Sequence, residues 1–155
     1  MALNKQELQP LVYEFFFAFS RMELALKERR LLEHEKEDAK AKPGWSAFVE
    51  MFEADYVQSA EGMALIEARP KCQFVGPDQS LVWRELRADP NRSELANTVD
   101  ALQVVRNNLF HGGKHGEKSW DDPERIDRLL TLGKVVLQQL ANLHDDIRAE
   151  FLDEV

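Results

Sequence analysis

Arg106 and His111 are the two residues of this sequence whose type and position ask for a chemical explanation. Arg106 falls in the middle of an apolar face made by Leu95, Val99, Leu102, Leu109 and Phe110, which lie within about 50° of one direction on a helical wheel, with Val105 at their flank. A guanidinium is almost never buried unpaired, so this placement demands a carboxylate partner, emergence into a cleft, or a phosphate ligand. Glu23, flanking the apolar stripe of the first helix, is the candidate carboxylate across the bundle. His111 stands at the Gly112-Gly113 end of the same helix, where the helix dipole favours imidazolium. That position suits a proton-transfer group, and equally a surface histidine capping its own helix. On one ideal helix the two residues are about 140° apart, so a loosened last turn or a composite site from two subunits is needed to join them.

Other chemistries fit the sequence less well. His111 and His115 have H-x3-H spacing, but the two glycines between them break the helix that would align a zinc site, and no cysteine assists. Gly112-Gly113-Lys114 lacks the spacing and the preceding strand of a phosphate loop. A histidine phosphotransfer domain needs an exposed mid-helix histidine, and His111 sits at a glycine-terminated end. Cys72 has no base nearby in sequence and reads as a bystander. No metal or cofactor is expected.

The elements that must position these residues read as helices. Leu8, Leu11, Val12, Phe15, Phe19, Met22 and Leu26 form a stripe within about 100° of arc, while Tyr13, Phe17, Leu24 and Leu31 lie on the opposite side. A helix apolar on two faces is central in its bundle or shared with a second subunit, which points to a homodimer. Its charged tail, Lys27 to Lys42, reads as a solvated extension that ends at Pro43-Gly44. A second helix is expected from Trp45 to Arg69, stopped by Pro70. Pro70 to Asn91 reads as an irregular connection with a helical turn around Ser80 to Leu86, and KCQFVG is the one strand-like segment. A third helix begins near Asn91 or Ser93 and runs to His111. Asp121-Asp122-Pro123 starts a fourth, whose stripe runs from Ile126 to Phe151 and includes Gly133, a position that allows close approach of a neighbour. The expected architecture is therefore all-α: one compact domain over residues 1–155, of four main helices plus a short helical or irregular connection.

Composition sets the boundaries of function. The 155 residues are 44% apolar and 31% charged, enough for a folded core, and no apolar run approaches the length that spans a bilayer. A single cysteine excludes an internal disulfide framework and suits a reducing cytosol; with no secretory signal at MALNKQELQP, a cytoplasmic location is expected. The net charge of −8 argues against an indiscriminate nucleic-acid binder. Arg106 to Lys118, however, carries +2 and leaves −10 for the remainder, so one basic cleft on an acidic body stays compatible with a phosphate at one site.

The run Arg106-Asn107-Asn108-Leu109-Phe110-His111 resembles the R-x4-6-H motif of HEPN domains, in the form with a polar residue directly after the arginine. The flanking Val104-Val105 and Gly112-Gly113-Lys114, and the early Phe19-Ser20-Arg21-Met22-Glu23-Leu24-Ala25-Leu26-Lys27, resemble bacterial members. The resemblance implies a helical bundle that dimerises so that two motif helices line a shared cleft. It implies a metal-independent endoribonuclease acting as a toxin or phage-defence effector, or a module that has lost catalysis and binds a partner protein or nucleotide. His111 would then move the proton of the attacking 2′-hydroxyl or of the leaving oxygen, Arg106 would hold the scissile phosphate, Asn107 would position one of them, and Glu23 would support the arginine. His and Arg supply this chemistry without a metal. Lys114, His115 and Lys118 beyond the motif form either a solvated loop or RNA-backbone contacts, and Arg84, Arg87 and Arg92 are a second basic group that could line the same groove. Expected partners are RNA, a second copy of the chain, and an antitoxin or other protein.

Overall fold

A computed structural model describes residues 4–109 and 122–153. Among them, the order of elements is α1 (Lys5–Glu28), α2 (Trp45–Phe52), α3 (Ala60–Glu67), β1 (Lys71–Val75), β2 (Leu81–Glu85), α4 (Glu94–Asn107), α5 (Pro123–Ala141) and α6 (Asp145–Phe151). The fold is mostly helical, with one small antiparallel sheet. No described helix is long and apolar enough to cross a membrane.

α1 is the longest described helix. It opens on a capping box, in which the Asn4 side chain accepts from the Glu7 N–H and the Glu7 carboxylate accepts from the Asn4 N–H. Leu8, Phe15, Phe19, Met22 and Leu26 of the expected stripe are buried, and the helix packs chiefly on α5 and α6. Gly133 of α5 faces Phe15 so closely that a Cβ there would stand 2.7 Å from the ring. Arg21 closes the other end of this interface: its Nη2 donates to the Glu150 carbonyl at 2.6 Å and its Nε to the Phe151 carbonyl at 3.4 Å, satisfying the last turn of α6. On the opposite side of α1, Tyr13 and Phe17 are exposed and stacked with ring centroids 6.2 Å apart, whereas Leu31 is buried beyond the helix end.

Four expected boundaries are corrected. The first helix stops at Glu28 instead of extending to Lys42, because Arg30 turns left-handed at φ 61°. The Arg30 N–H then donates to the Lys27 carbonyl and the Leu31 N–H to the Leu26 carbonyl, a Schellman closure that buries Leu31. The charged stretch is a loop that returns on itself, with Leu32 bridged to Pro43. The expected 45–69 helix divides into α2 and α3, since Ser59 caps α3 by accepting from the Gly62 N–H and Gln58 turns inward to donate to the fully buried Thr98 hydroxyl at 3.1 Å. The 70–91 connection contains a β-hairpin, and in place of the expected helical turn at Ser80 to Leu86 stands strand β2, Leu81–Glu85: Cys72 pairs with Arg84, Gln73 with Trp83 and Phe74 with Val82, around a 3-10 turn at Pro77–Gln79. KCQFV thus finds its partner in LVWRE, whose apolar residues are consecutive and so announce no strand by alternation. The last helix breaks at residues 142–144, where the His144 imidazole caps α6 by accepting from the Asp146 N–H.

α4 starts at Ser93, whose hydroxyl accepts from the Ala96 N–H, and its last described residues, Asn108 and Leu109, widen into a π-type turn. Leu95, Val99, Leu102 and Val105 join the buried core cluster of the described residues. The expected end of this helix at His111 lies outside the described residues.

Gly133→Val should lower stability by about 2 kcal/mol, because the added methyls enter the space of a buried phenyl ring that is itself enclosed. Urea unfolding checks it; an unchanged midpoint would show that α1 and α5 separate freely.

Candidate functional site

Arg106 projects from the last full turn of α4 toward α1. Its guanidinium carbon sits 4.7 Å from the centre of the Phe19 ring, and Nη1 lies 3.3 Å from both carboxylate oxygens of Glu23. Phe19 and Glu23 are four residues apart on α1 and so share one face, one supplying a π-surface and the other a charge. Trp45, the first residue of α2, completes the cluster: its ring packs 5.5 Å from Phe19 and its indole N–H donates to Glu23 Oε2 at 2.9 Å. A buried indole needs an acceptor, and Glu23 provides it while facing the arginine. Three elements therefore meet on one carboxylate.

Asn107 takes the other side of the guanidinium. Its Oδ1 accepts from Arg106 Nε at 3.2 Å and from Nη2 at 3.1 Å. The second Nη2 proton has no acceptor among the described residues. The Arg106 and Glu23 side chains are 25% and 23% exposed, so the pair is neither sealed in the core nor free in solvent. It forms a wall between two open grooves. One, of about 960 Å³, runs between α2 and α4 past Trp45, Arg92 and Asp100; the other, of about 600 Å³, runs along α1 past Tyr13, Phe17 and Ser20.

The structure thus brings Arg106, Asn107 and Glu23 together. His111, Lys114, His115 and Lys118 lie outside the described residues. Of the second basic group only Arg92 reaches the larger groove, where it pairs with Asp100. Burial pushes the Asp100 carboxyl above its ordinary range, and the neighbouring Arg92 opposes that shift. Arg84 lies instead on the hairpin, over the Phe74 ring, and Arg87 lines a small crevice beside Asn97. Among the described residues no three His, Cys, Asp or Glu side chains form a metal site.

Sequence reasoning missed Phe19 and Trp45 as members of the site. The signal was present for Trp45: a tryptophan immediately after Pro43-Gly44, on the apolar face of a short helix, has an indole N–H that must find an acceptor. For Phe19 the i, i+4 spacing to Glu23 was the signal, hidden because the ring also counts as core.

Comparison of the chain with protein-family models, with curated proteins and with solved structures returns no match. Function has to be argued from the residues themselves.

Glu23→Ala should cost about 2 kcal/mol, since it strips the charge partner from a mostly buried guanidinium and the acceptor from the Trp45 indole together. Glu23→Gln should cost less, because its amide oxygen can still accept from Trp45. Urea midpoints of both variants test this; values equal to the unsubstituted chain would make the pair a mere surface contact.

Proposed function

We propose that this chain is a metal-independent endoribonuclease of the HEPN type, a toxin or phage-defence effector acting in the cytoplasm as a homodimer. The observation that carries the reading is Arg106: a half-buried cation, oriented on three sides by Phe19, Glu23 and Asn107, on the wall of an open groove. Such an arginine is preorganised for a phosphoryl oxygen, which its remaining Nη2 proton can engage without breaking the contact to Glu23. Glu23 balances the guanidinium until phosphate arrives, and Asn107 keeps the guanidinium plane fixed.

In the reaction, His111 takes the proton of an RNA 2′-hydroxyl as that oxygen attacks the adjacent phosphorus. The bond to the 5′-oxygen breaks, and a proton returns to the departing oxygen, leaving a cyclic phosphate and a 5′-hydroxyl. Arg106 stabilises the charge that builds on the phosphoryl oxygens. Lys114, His115 and Lys118 supply contacts to the RNA backbone beyond the motif. Dimerisation through the exposed Tyr13 and Phe17 face of α1 places two such arginines in one cleft, since these rings border the groove that Arg106 lines.

A second reading is favoured by the Arg106–Glu23 pair itself. An arginine whose charge is already matched fits a catalytically silent module that binds a partner protein, such as an antitoxin, or a nucleotide.

Purified protein should cleave RNA in the presence of EDTA. Arg106→Ala and His111→Ala should each lower the rate by at least about 100-fold while leaving the helical circular dichroism unchanged. Expression should arrest growth, and His111→Ala should relieve the arrest. Cleavage persisting in both variants overturns the enzyme; a pure chain that never cleaves leaves the silent module.

A further inference from the structure

We propose that the β1–β2 hairpin is a docking arm for single-stranded RNA. The inference rests on the ribonuclease reading for its substrate, but on a different part of the molecule for its observations. Residues 69–92 hold five basic and three acidic side chains in a chain of net charge −8, so the hairpin segment is positive on an acidic body. Two of its cations are matched: Arg69 by Glu85 at 3.6 Å, and Arg92 by Asp100. Lys71, Arg84 and Arg87 have no carboxylate partner among the described residues. Unmatched positive charge on such a body is complementary to a polyanion.

Aromatic rings stand among these cations. Residues paired across an antiparallel ladder share a face, so Trp83 lies with Gln73, Val75, Leu81, Lys71 and Glu85, the last engaged by Arg69, while Phe74 lies with Cys72, Val82 and Arg84 on the other side. Trp83 is 39% exposed and Phe74 43%, and the Arg84 guanidinium already covers the Phe74 ring at 4.9 Å. The Trp83 face therefore offers an open π-surface with Lys71 nearby, and the other a guanidinium plane stacked on a ring, both surfaces on which unpaired bases stack while their phosphates are neutralised. Val75 and Leu81 extend the patch to the hairpin tip without adding a charge.

Position links the arm to the site. The Asn108 side-chain amide donates to the Lys71 carbonyl at 2.5 Å, and Arg125 Nη2 donates to the carbonyls of Ala68 and Arg69 at 2.8 and 3.0 Å. The base of the hairpin is thereby pinned to the end of α4, two residues from Arg106, and to the start of α5. A strand stacked on Trp83 with a phosphate at Lys71 is delivered to the motif helix.

The test uses the full chain and a fluorescein-labelled single-stranded RNA methylated at every 2′-hydroxyl, which binds but cannot be cleaved. Trp83→Ala should weaken binding about tenfold, and Trp83→Phe should restore most of it. Lys71→Ala and Arg84→Ala should each flatten the dependence of log affinity on log salt by about 0.7. All three side chains are on the hairpin surface, and circular dichroism checks that the helices are intact. Unmethylated RNA is assayed for cleavage in parallel. Weaker binding by Trp83→Ala in a chain that does not cleave supports the arm and sinks the ribonuclease. Cleaving protein whose Trp83→Ala variant binds normally does the reverse. A chain that does not bind the methylated RNA, or a Trp83→Ala variant that changes mass by light scattering with no change in affinity, overturns the arm; the latter result makes the hairpin a protein interface.

Discussion

A guanidinium placed in the apolar contact between two helices cannot stay there alone, and the structure around Arg106 is arranged to satisfy it. Glu23 supplies the opposite charge, Phe19 a polarisable face and Asn107 an acceptor. The same carboxylate anchors the Trp45 indole, which fixes where α2 begins, and the abrupt end of α1 at Arg30 makes that return possible within a short loop. Changing the arginine would thus be felt in α1, α2 and α4 together. A site built on three elements holds its geometry more firmly than one built on a loop.

Polar satisfaction also explains why apparently continuous helices are divided. Thr98 faces the core of α4 with no exposed surface, and its hydroxyl donates to the Glu94 carbonyl while accepting from Gln58. Gln58 reaches it only because the chain leaves helical geometry between α2 and α3. Ser59 and Gln139 then continue the contact toward α5, where the Ser59 hydroxyl donates to the Gln139 side chain at 2.7 Å and Gln139 donates to Glu61 at 3.1 Å. Burial raises the Tyr56 phenol above its ordinary range, and the phenol donates to Gln58. Apolar periodicity cannot register such a network, since each member is one polar residue in a run that otherwise keeps helical phase.

Much of the helical content was legible for the opposite reason. The stripes of α1, α4 and α5 repeat at helical spacing over several turns, Ser93 and Asp122-Pro123 cap in the expected places, and Gly133 sits where close packing requires it. Legibility failed at short or two-sided elements. The hairpin strands have five residues each, mostly exposed on both faces, so their pairing is a tertiary fact that alternation does not reveal. In the site, the meeting of Arg106 with Glu23 followed from burial logic, while Trp45 did not, because an indole acceptor is chosen by the fold and not by sequence distance.

The arginine clasp at the end of α6 has a consequence for how the chain acquires this shape. Arg21 holds carbonyls at Glu150 and Phe151, and α1, ending at Glu28, finds its largest partner only in α5, which begins at Pro123. A helical protein with mostly neighbouring contacts closes only short loops; here α1 waits for partners more than a hundred residues ahead in the chain, and the entropy of closing that long loop must be met before the contact forms. During synthesis α1 emerges long before α5 and α6, so the large apolar residues it packs on them stay unmatched in the interval. Until those helices follow, the nascent α1 presents an unmatched apolar stripe to solvent, which makes it a natural client for chaperones.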